Sequence, residues 1–237
     1  MRSTLVLLGF DNVVDVDEEA GSSPKREDLQ IQGSSPVVLV EVKGIAGMPS
    51  DDDILQAAKY VAPRIKEWKR MDVRALCVLN HQRHVPPLDR DYENVFRADI
   101  LANAQQHDLG LITTWDLYKL ARGLLRNGWK HASIRNLFFQ SGRVPCLPSH
   151  YEDLGAIEEK WERAGAIGVR LLSEPLVQGE RLGIPLDIDF VEFEASSLQL
   201  ESVTVKEAPR GSLVGIKLPS DVIGVRKAMK VFRAKPG

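Results

Sequence analysis

Three residues early in the chain have the types and spacing to work on a phosphodiester: Asp28, Glu41 and Lys43. Carboxylate oxygens are the hard ligands that hold Mg²⁺ or Mn²⁺, and an ion so held polarises a phosphoryl group and lowers the pKa of bound water. A lysine beside them can orient that water, or stabilise the charge that gathers on the phosphate in the transition state. Glu41 and Lys43 are two apart in VVLVEVKG. On an extended strand both therefore project from the face that carries Leu39, while Val38, Val40 and Val42 line the other. So apolar a run reads as a strand covered on both faces, where a charge is least welcome. The pair also suits a half-buried salt bridge, but such bridges stabilise poorly, which leaves function as the stronger reason for the placement. Asp15 and Asp17 are rival carboxylates that lie one strand too early. Glu-x-Lys recurs at Glu67/Lys69, in a helical pattern, and at Glu158/Lys160, with no comparable apolar run before it.

The elements that must position these groups can be read around them. KREDLQI is a short strand pattern that a GSSP turn joins to VVLVEVKG, and a hairpin between the two brings Asp28 to Glu41. Ser50 is an N-cap and Asp51, Asp52 and Asp53 fill a first helical turn, where the dipole favours anions. Ile54, Ala58, Val61, Ile65 and Trp68 then recur at helical spacing, which predicts a helix from Ser50 to about Lys69, bent at Pro63. Gln56 and Tyr60, four apart, share its other side with Lys59; a solvated polar face is the plain alternative. Val73 to Leu79 is a further buried strand, followed by NHQRH. A loop leaving a central strand borders the ligand cleft of an α/β sheet, so His81 and Arg83 are candidate phosphate contacts, with a polar surface loop as the alternative. Asp89 to His107 reads as helix, 109 to 114 as strand and 115 to 125 as helix. At the start, STLVLLGF reads as the last turns of a helix with a break at Gly9, followed by a strand over Asn12 to Glu18.

With those residues in view, Asp28 followed by E41-V-K43 resembles the PD-(D/E)XK, or restriction-endonuclease-like, nuclease superfamily, and Q56-A-A-K-Y60 resembles the Gln-x-x-x-Tyr motif of its RecB-type members. The order of elements over about residues 3 to 127 is similar to the α/β sandwich of that superfamily. The resemblance implies an α/β fold with a restriction-endonuclease-like α/β/α core. It implies Asp28 and Glu41 as ligands of Mg²⁺ or Mn²⁺, Lys43 as the group assisting catalysis, and Gln56 and Tyr60 as supports of the site or substrate. It also implies nucleic acid as substrate, DNA ahead of RNA. The superfamily core begins with a longer helix, which makes this chain a shortened form or part of a longer protein.

From Asn127 the character changes. HASIRNLFFQSG reads as a short helix, and RVPCLPSHYEDLG is rich in proline and has no period. The expected organisation is a nuclease-like domain over 1–128, a linker with a short helix over 129–150, and a smaller all-β domain over 151–237. GAIEEKW, AIGVRLL, DFVEFEA, LQLESVTV and SLVGIKLP are short β-branched runs between Gly- and Pro-bearing turns, the pattern of a small closed barrel. The Gly179 turn after PLVQ, the SLQLESV strand and EAPRG ahead of LVGIKL resemble the second domain of elongation factor Tu. Gly211 and Gly215 suit that pattern, one turning the chain and the other letting backbones approach. The resemblance implies a protein or RNA partner docked on the barrel. No G-x-x-x-x-G-K-[ST] occurs, so it implies nothing about GTP hydrolysis.

Composition sets outer bounds. The chain has 237 residues, 43% of them hydrophobic, enough for real cores, and a net charge of −2, which gives no support to extensive non-specific phosphate binding. Two cysteines, Cys77 in an apolar strand and Cys146 in a loop, make no disulfide framework and fit a reducing cytoplasm. No run approaches the ~18 apolar residues of a membrane span, and no cleavage site follows the short N-terminal apolar run, so no membrane association is expected. The sequence thus points to a metal-dependent, cytoplasmic nuclease. The alternatives are a protein that binds a nucleic acid or nucleotide without cutting it, and a translation- or RNA-associated adaptor that acts through the barrel.

Overall fold

A computed structural model describes residues 1–16, 18, 26–172 and 174–235. Asp17 and residues 21–25 of the loop before Asp28 lie outside the described residues. The chain divides into two compact units, Met1–Pro148 and Ser149–Gly237.

The first unit is built on a six-stranded sheet in chain order: β1 (Val13–Asp15), β2 (Leu29–Ile31), β3 (Val37–Gly44), β4 (Val73–Asn80), β5 (Leu109–Thr113) and β6 (Gly142–Arg143). β1 to β3 pair antiparallel and β3 to β6 parallel. β3 is central, as its apolar run requires, and Val37 to Glu41 are all buried. On the face of Leu39, Ala75, Cys77 and Leu111 lie α2 (Asp51–Leu55), α3 (Val61–Trp68) and α4 (Ala98–Gln106), through Ile54, Ile65, Trp68, Ile100 and Ala104. The alternate residues Leu76, Val78 and Ile112 are buried on the other face, where α5 (Thr114–Asn127) packs against β4 and β5. α1 (Arg2–Leu7) ends at Gly9, whose φ of +95° breaks the helix as expected.

Several elements differ from the expectation. The helix after Ser50 is interrupted not at Pro63 but over Ala58–Tyr60, a 3₁₀ turn between α2 and α3. Pro63 falls in the first turn of α3, where its missing N–H has no intrahelical partner to lose. α4 begins only at Ala98, because Asp91 takes the backbone N–H groups of Glu93 (3.0 Å) and Asn94 (3.1 Å) and holds that stretch in a side-chain-capped turn. Residues 129–148, expected as linker, belong to the first unit: α6 (His131–Arg135) and β6 fold back, and Leu137 and Phe138 are buried in its core. A two-residue strand has no period to read, which is why composition alone suggests a linker there.

The second unit holds an eight-stranded antiparallel sheet. Its order is β11 (Phe190–Glu194), β10 (Arg181–Pro185), β16 (Lys230–Ala234), β7 (Tyr151–Trp161), β8 (Ala166–Arg170), β15 (Leu213–Lys217), β12 (Leu198–Leu200) and β13 (Val203–Val205). A separate ladder pairs β9 (Leu176–Val177) with β14 (Glu207–Ala208). One core joins Leu154, Ile167, Val169, Leu182, Ile184, Val214 and Val231. The closed barrel expected from evenly spaced short strands is not what the pairing shows: among the described residues no ladder joins β11 to β13. Both ends have the character of free edges, with Glu194 exposed on β11 and Val203 and Thr204 exposed on β13. Among the described residues, no helix is long and apolar enough to cross a membrane.

Candidate functional site

The β3–β4 register sets Glu41 beside Cys77 and Lys43 beside Leu79, on the face covered by α2 and α3. Glu41 is 3% exposed, and its Oε1 lies 2.9 Å from Lys43 Nζ, whose side chain is 26% exposed. Leu29 pairs with Val40, so the next residue of β2's approach, Asp28, arrives at Glu41. Its backbone N–H donates to Val40 O (3.1 Å), and its Oδ2 accepts the N–H of Val42 (2.7 Å). A carboxylate thus takes the place of a ladder carbonyl, near enough for its charge to act on both Glu41 and Lys43. Asp15, by contrast, pairs with Leu29 on the far side of β2 and accepts from Glu18 N.

The electrostatics follow from this packing. Burial pushes the Glu41 carboxyl above its ordinary value, and the charges of Asp28 and Glu27 add to the rise against the hydrogen bond from Lys43. Burial alone would pull the Lys43 ammonium down, but the hydrogen bond and charge of Glu41, with Asp28, outweigh it and hold the pKa up. Cys77 is pushed up to about 12, first by burial and then by the Glu41 charge, so it stays a thiol. Glu41 Oε2 is buried and has no hydrogen-bond partner among the described residues.

A residue that sequence reasoning passed over completes the cluster. Glu27 is 1% exposed, and its Oε1 accepts from Gln30 Nε2 (2.6 Å) and Arg64 Nε (2.8 Å), with Arg64 Nη2 at 2.7 Å. Its Oε2, like that of Glu41, is buried without a partner among the described residues. Arg64 is itself buried, reaches Glu67 (3.2 Å) and lies 5.0 Å from the Trp68 ring centroid. The available signal was an arginine at a helical position within the half-buried Val61, Ile65 and Trp68 stripe, and an acid adjacent to Asp28.

The remaining candidates fare differently. Tyr60 packs with Val61, Ile65 and Trp68 against Val37 and Leu39, two residues before Glu41 on the same strand face. Gln56 caps the end of α2, and the 3₁₀ turn that follows replaces the α-helical turn expected to align it with Tyr60. Arg83 is exposed at the C-terminal end of β3, where its Nη1 donates to Gly44 O (3.4 Å). His81 is no exposed phosphate contact. It is 1% exposed, its Nε2–H donates to Asp91 O (3.0 Å), and its ring meets Tyr92 edge-on at 5.1 Å. Burial holds its pKa below the ordinary value.

Among the described residues, no three His, Cys, Asp or Glu side chains converge as a ready metal cage. The residues present nevertheless fit Mg²⁺, which takes one or two carboxylates and completes its shell with water and substrate phosphate. The partnerless Glu41 Oε2, beside Asp28, is the oxygen such an ion would satisfy.

No protein-family model matches the chain, and no curated protein sequence does. Solved structures do. The C-terminal domain of a Geobacillus thermoleovorans protein assigned to the U32 peptidases is 12% identical over 35% of this chain and 91% of its own, with a TM-score of 0.30. GDP-bound aIF5B from Aeropyrum pernix is 11% identical over 80% of this chain and 28% of its own, with a TM-score of 0.28. Apo translation elongation factor SelB from Methanococcus maripaludis is 10% identical over 84% of this chain and 40% of its own, with a TM-score of 0.30. Translation factors are thus among the structures this chain is similar to, and it spans less than half of either one's length. Likeness at this level says nothing about activity.

Proposed function

We propose that the first unit is a metal-dependent nuclease that hydrolyses nucleic-acid phosphodiester bonds. One observation carries the reading: a carboxylate oxygen, Glu41 Oε2, is buried without a partner beside a second carboxylate, on a side chain whose other oxygen lies 2.9 Å from an ammonium, at the end of a rigid central strand. Glu41 and Asp28 would hold Mg²⁺ or Mn²⁺, which supplies Lewis-acid stabilisation of the phosphoryl oxygens and a more acidic water. Lys43 is held protonated by Glu41 and Asp28, so it acts as a cation that orients water or steadies phosphate charge, rather than as a base. Tyr60 braces β3 from the helical side, and Arg83 offers a cation where a backbone would leave the site. The preference for DNA over RNA rests on the family resemblance alone.

The test is purified chain incubated with single- and double-stranded DNA and RNA, in Mg²⁺, Mn²⁺ or EDTA. Cleavage that needs the ion and disappears in Glu41→Gln and Lys43→Ala, with binding retained, supports the enzyme. Wild type that binds these polymers but cuts none of them makes the chain a binding protein. Cleavage undiminished in Glu41→Gln removes the site from the mechanism.

A further inference from the structure

In the second unit, Trp161 ends β7 with 42% of its surface exposed. It does not hang free in solvent. Gly168 of β8 and Gly215 of β15 face each other across the ladder, and the indole lies over both. A Cβ at Gly168 would meet Trp161 Cη2 at 2.9 Å, and one at Gly215 would meet Cζ3 at 3.4 Å. Two opposed glycines therefore make a bare slot that fixes one side of a large aromatic ring.

Trp161 borders two open spaces. A groove of about 1110 Å³ is lined by Ser197, Gln199, Ser202, Ser212 and Arg170, and a recess of about 600 Å³ by Lys160, Arg163 and Ser220. Trp161 and Lys217 line both. Most cations of this unit face a carboxylate, as Arg181 does Glu192 and Lys230 does Asp153. Arg163 and Lys217 have none within ion-pair distance among the described residues, and the Lys217 ammonium is held over the turn by Ala164 O. Of the other charged residues along both walls, Lys160 pairs with Glu162 and Arg170 with Glu158, which leaves Arg163 and Lys217 as the cations facing the open space, against Glu201.

We propose that this groove binds single-stranded nucleic acid, with one base stacked on Trp161 and the flanking phosphates on Arg163 and Lys217. The ring is already immobilised, so stacking a base costs little side-chain entropy, and every base offers a π-face to it. Ser197, Gln199, Ser202 and Ser212 offer hydrogen bonds to sugars and base edges, and Leu200, Val203 and Leu213 beside them offer apolar contact to a base face. This inference does not depend on the hydrolytic reading of the first unit.

The test measures anisotropy of short labelled oligonucleotides, DNA and RNA, single- and double-stranded, with the full chain carrying Glu41→Gln in EDTA so that cutting cannot intervene. Trp161→Ala is expected to weaken single-strand binding by about fivefold or more. Arg163→Gln/Lys217→Gln, exposed changes that leave the core intact, is expected to lower the salt dependence by about 0.7 in log–log slope for each phosphate no longer neutralised. The DNA and RNA arms tell which sugar is preferred. No binding by the parent chain, duplex bound as tightly as single strands, or Trp161→Ala binding unchanged each overturns the proposal. Failure of nuclease assays with this binding intact would count against the first unit's proposed chemistry alone.

Discussion

Replacing Lys43 by methionine probes whether the Glu41 carboxylate is held in the fold at a cost. Met keeps the aliphatic stem and removes the ammonium 2.9 Å from Glu41 Oε1. Glu41 is 3% exposed and Oε2 already lacks a partner, so the variant leaves both oxygens of a buried charge without a side-chain donor. Removing one member of a buried pair costs about 3–5 kcal/mol, and the 26% exposure of the Lys43 side chain puts the expectation at the lower end, about 3 kcal/mol. For a unit of this size that is a fall in Tm of about 6–12 °C. Three of the four tryptophans, Trp68, Trp115 and Trp129, lie in the first unit, so fluorescence-detected unfolding follows the right transition. Glu41→Gln/Lys43→Met, with no charge left to bury, should return to within about 1 kcal/mol of wild type. If the vacated oxygens accept a divalent ion, Mg²⁺ at about 100 times its Kd should restore about 2.7 kcal/mol to Lys43→Met. Wild type should gain less, because there the ion competes with the ammonium. A Lys43→Met protein within about 0.5 kcal/mol of wild type would refute the buried-charge argument. Mg²⁺ that stabilises Glu41→Gln as much as wild type would refute the ion site.

Three further expectations follow from the same packing. The Glu41 carboxyl is raised above 4.5 in the fold, so the unfolded chain ionises first; wild type should lose stability relative to Glu41→Gln as pH rises through 4.5 to the folded value, with the gap constant above it, as denaturant titrations across that range would show. His81 is lowered from 6.5 by burial, with Arg90, Asp91 and Asp116 as its charged neighbours; stability should therefore fall as pH drops below 6.5, and His81→Phe should remove that part of the pH profile. A Cβ at Gly123 would sit 2.2 Å from Trp129 Cζ3, so Gly123→Ala should destabilise by about 1–2 kcal/mol in urea unfolding, despite alanine's better helix propensity.

The legible parts of this chain were those with a period or a cap. β3 announced itself through an unbroken apolar run, and its two intruding charges named their own face, which the Glu41–Lys43 contact reproduces. Ser50 as N-cap placed the start of α2, where a capping box with Asp53 forms; the helix expected from residue 115 begins one residue earlier, behind a second box between Thr113 and Asp116. What escaped was decided by tertiary contact. His81 reads as an exposed loop residue until Asp91 and Tyr92 close over it. Residues 136–139 look like a connector until Leu137 and Phe138 find a core. The strands of the second unit were visible one by one, but whether their ends meet depends on long-range pairing that spacing does not encode.

Glu27 is the most instructive of the missed residues, because it changes the charge balance at the site. The charges of Asp28 and Glu27 both act on Glu41, and the cations paired with these acids are two, Lys43 with Glu41 and Arg64 with Glu27. Arg64 is tied to Glu27 through two nitrogens and to Glu67 besides, so it is fixed and cannot turn to serve Glu41. Lys43 reaches only Oε1. The excess negative charge therefore falls on the Glu41 side, where one oxygen is buried and unpaired. A fold selected only for stability gains by replacing such a group with a hydrocarbon. A divalent cation would remove both defects together, the uncompensated charge and the unsatisfied oxygen, and that double gain is the physical basis of the proposed ion site.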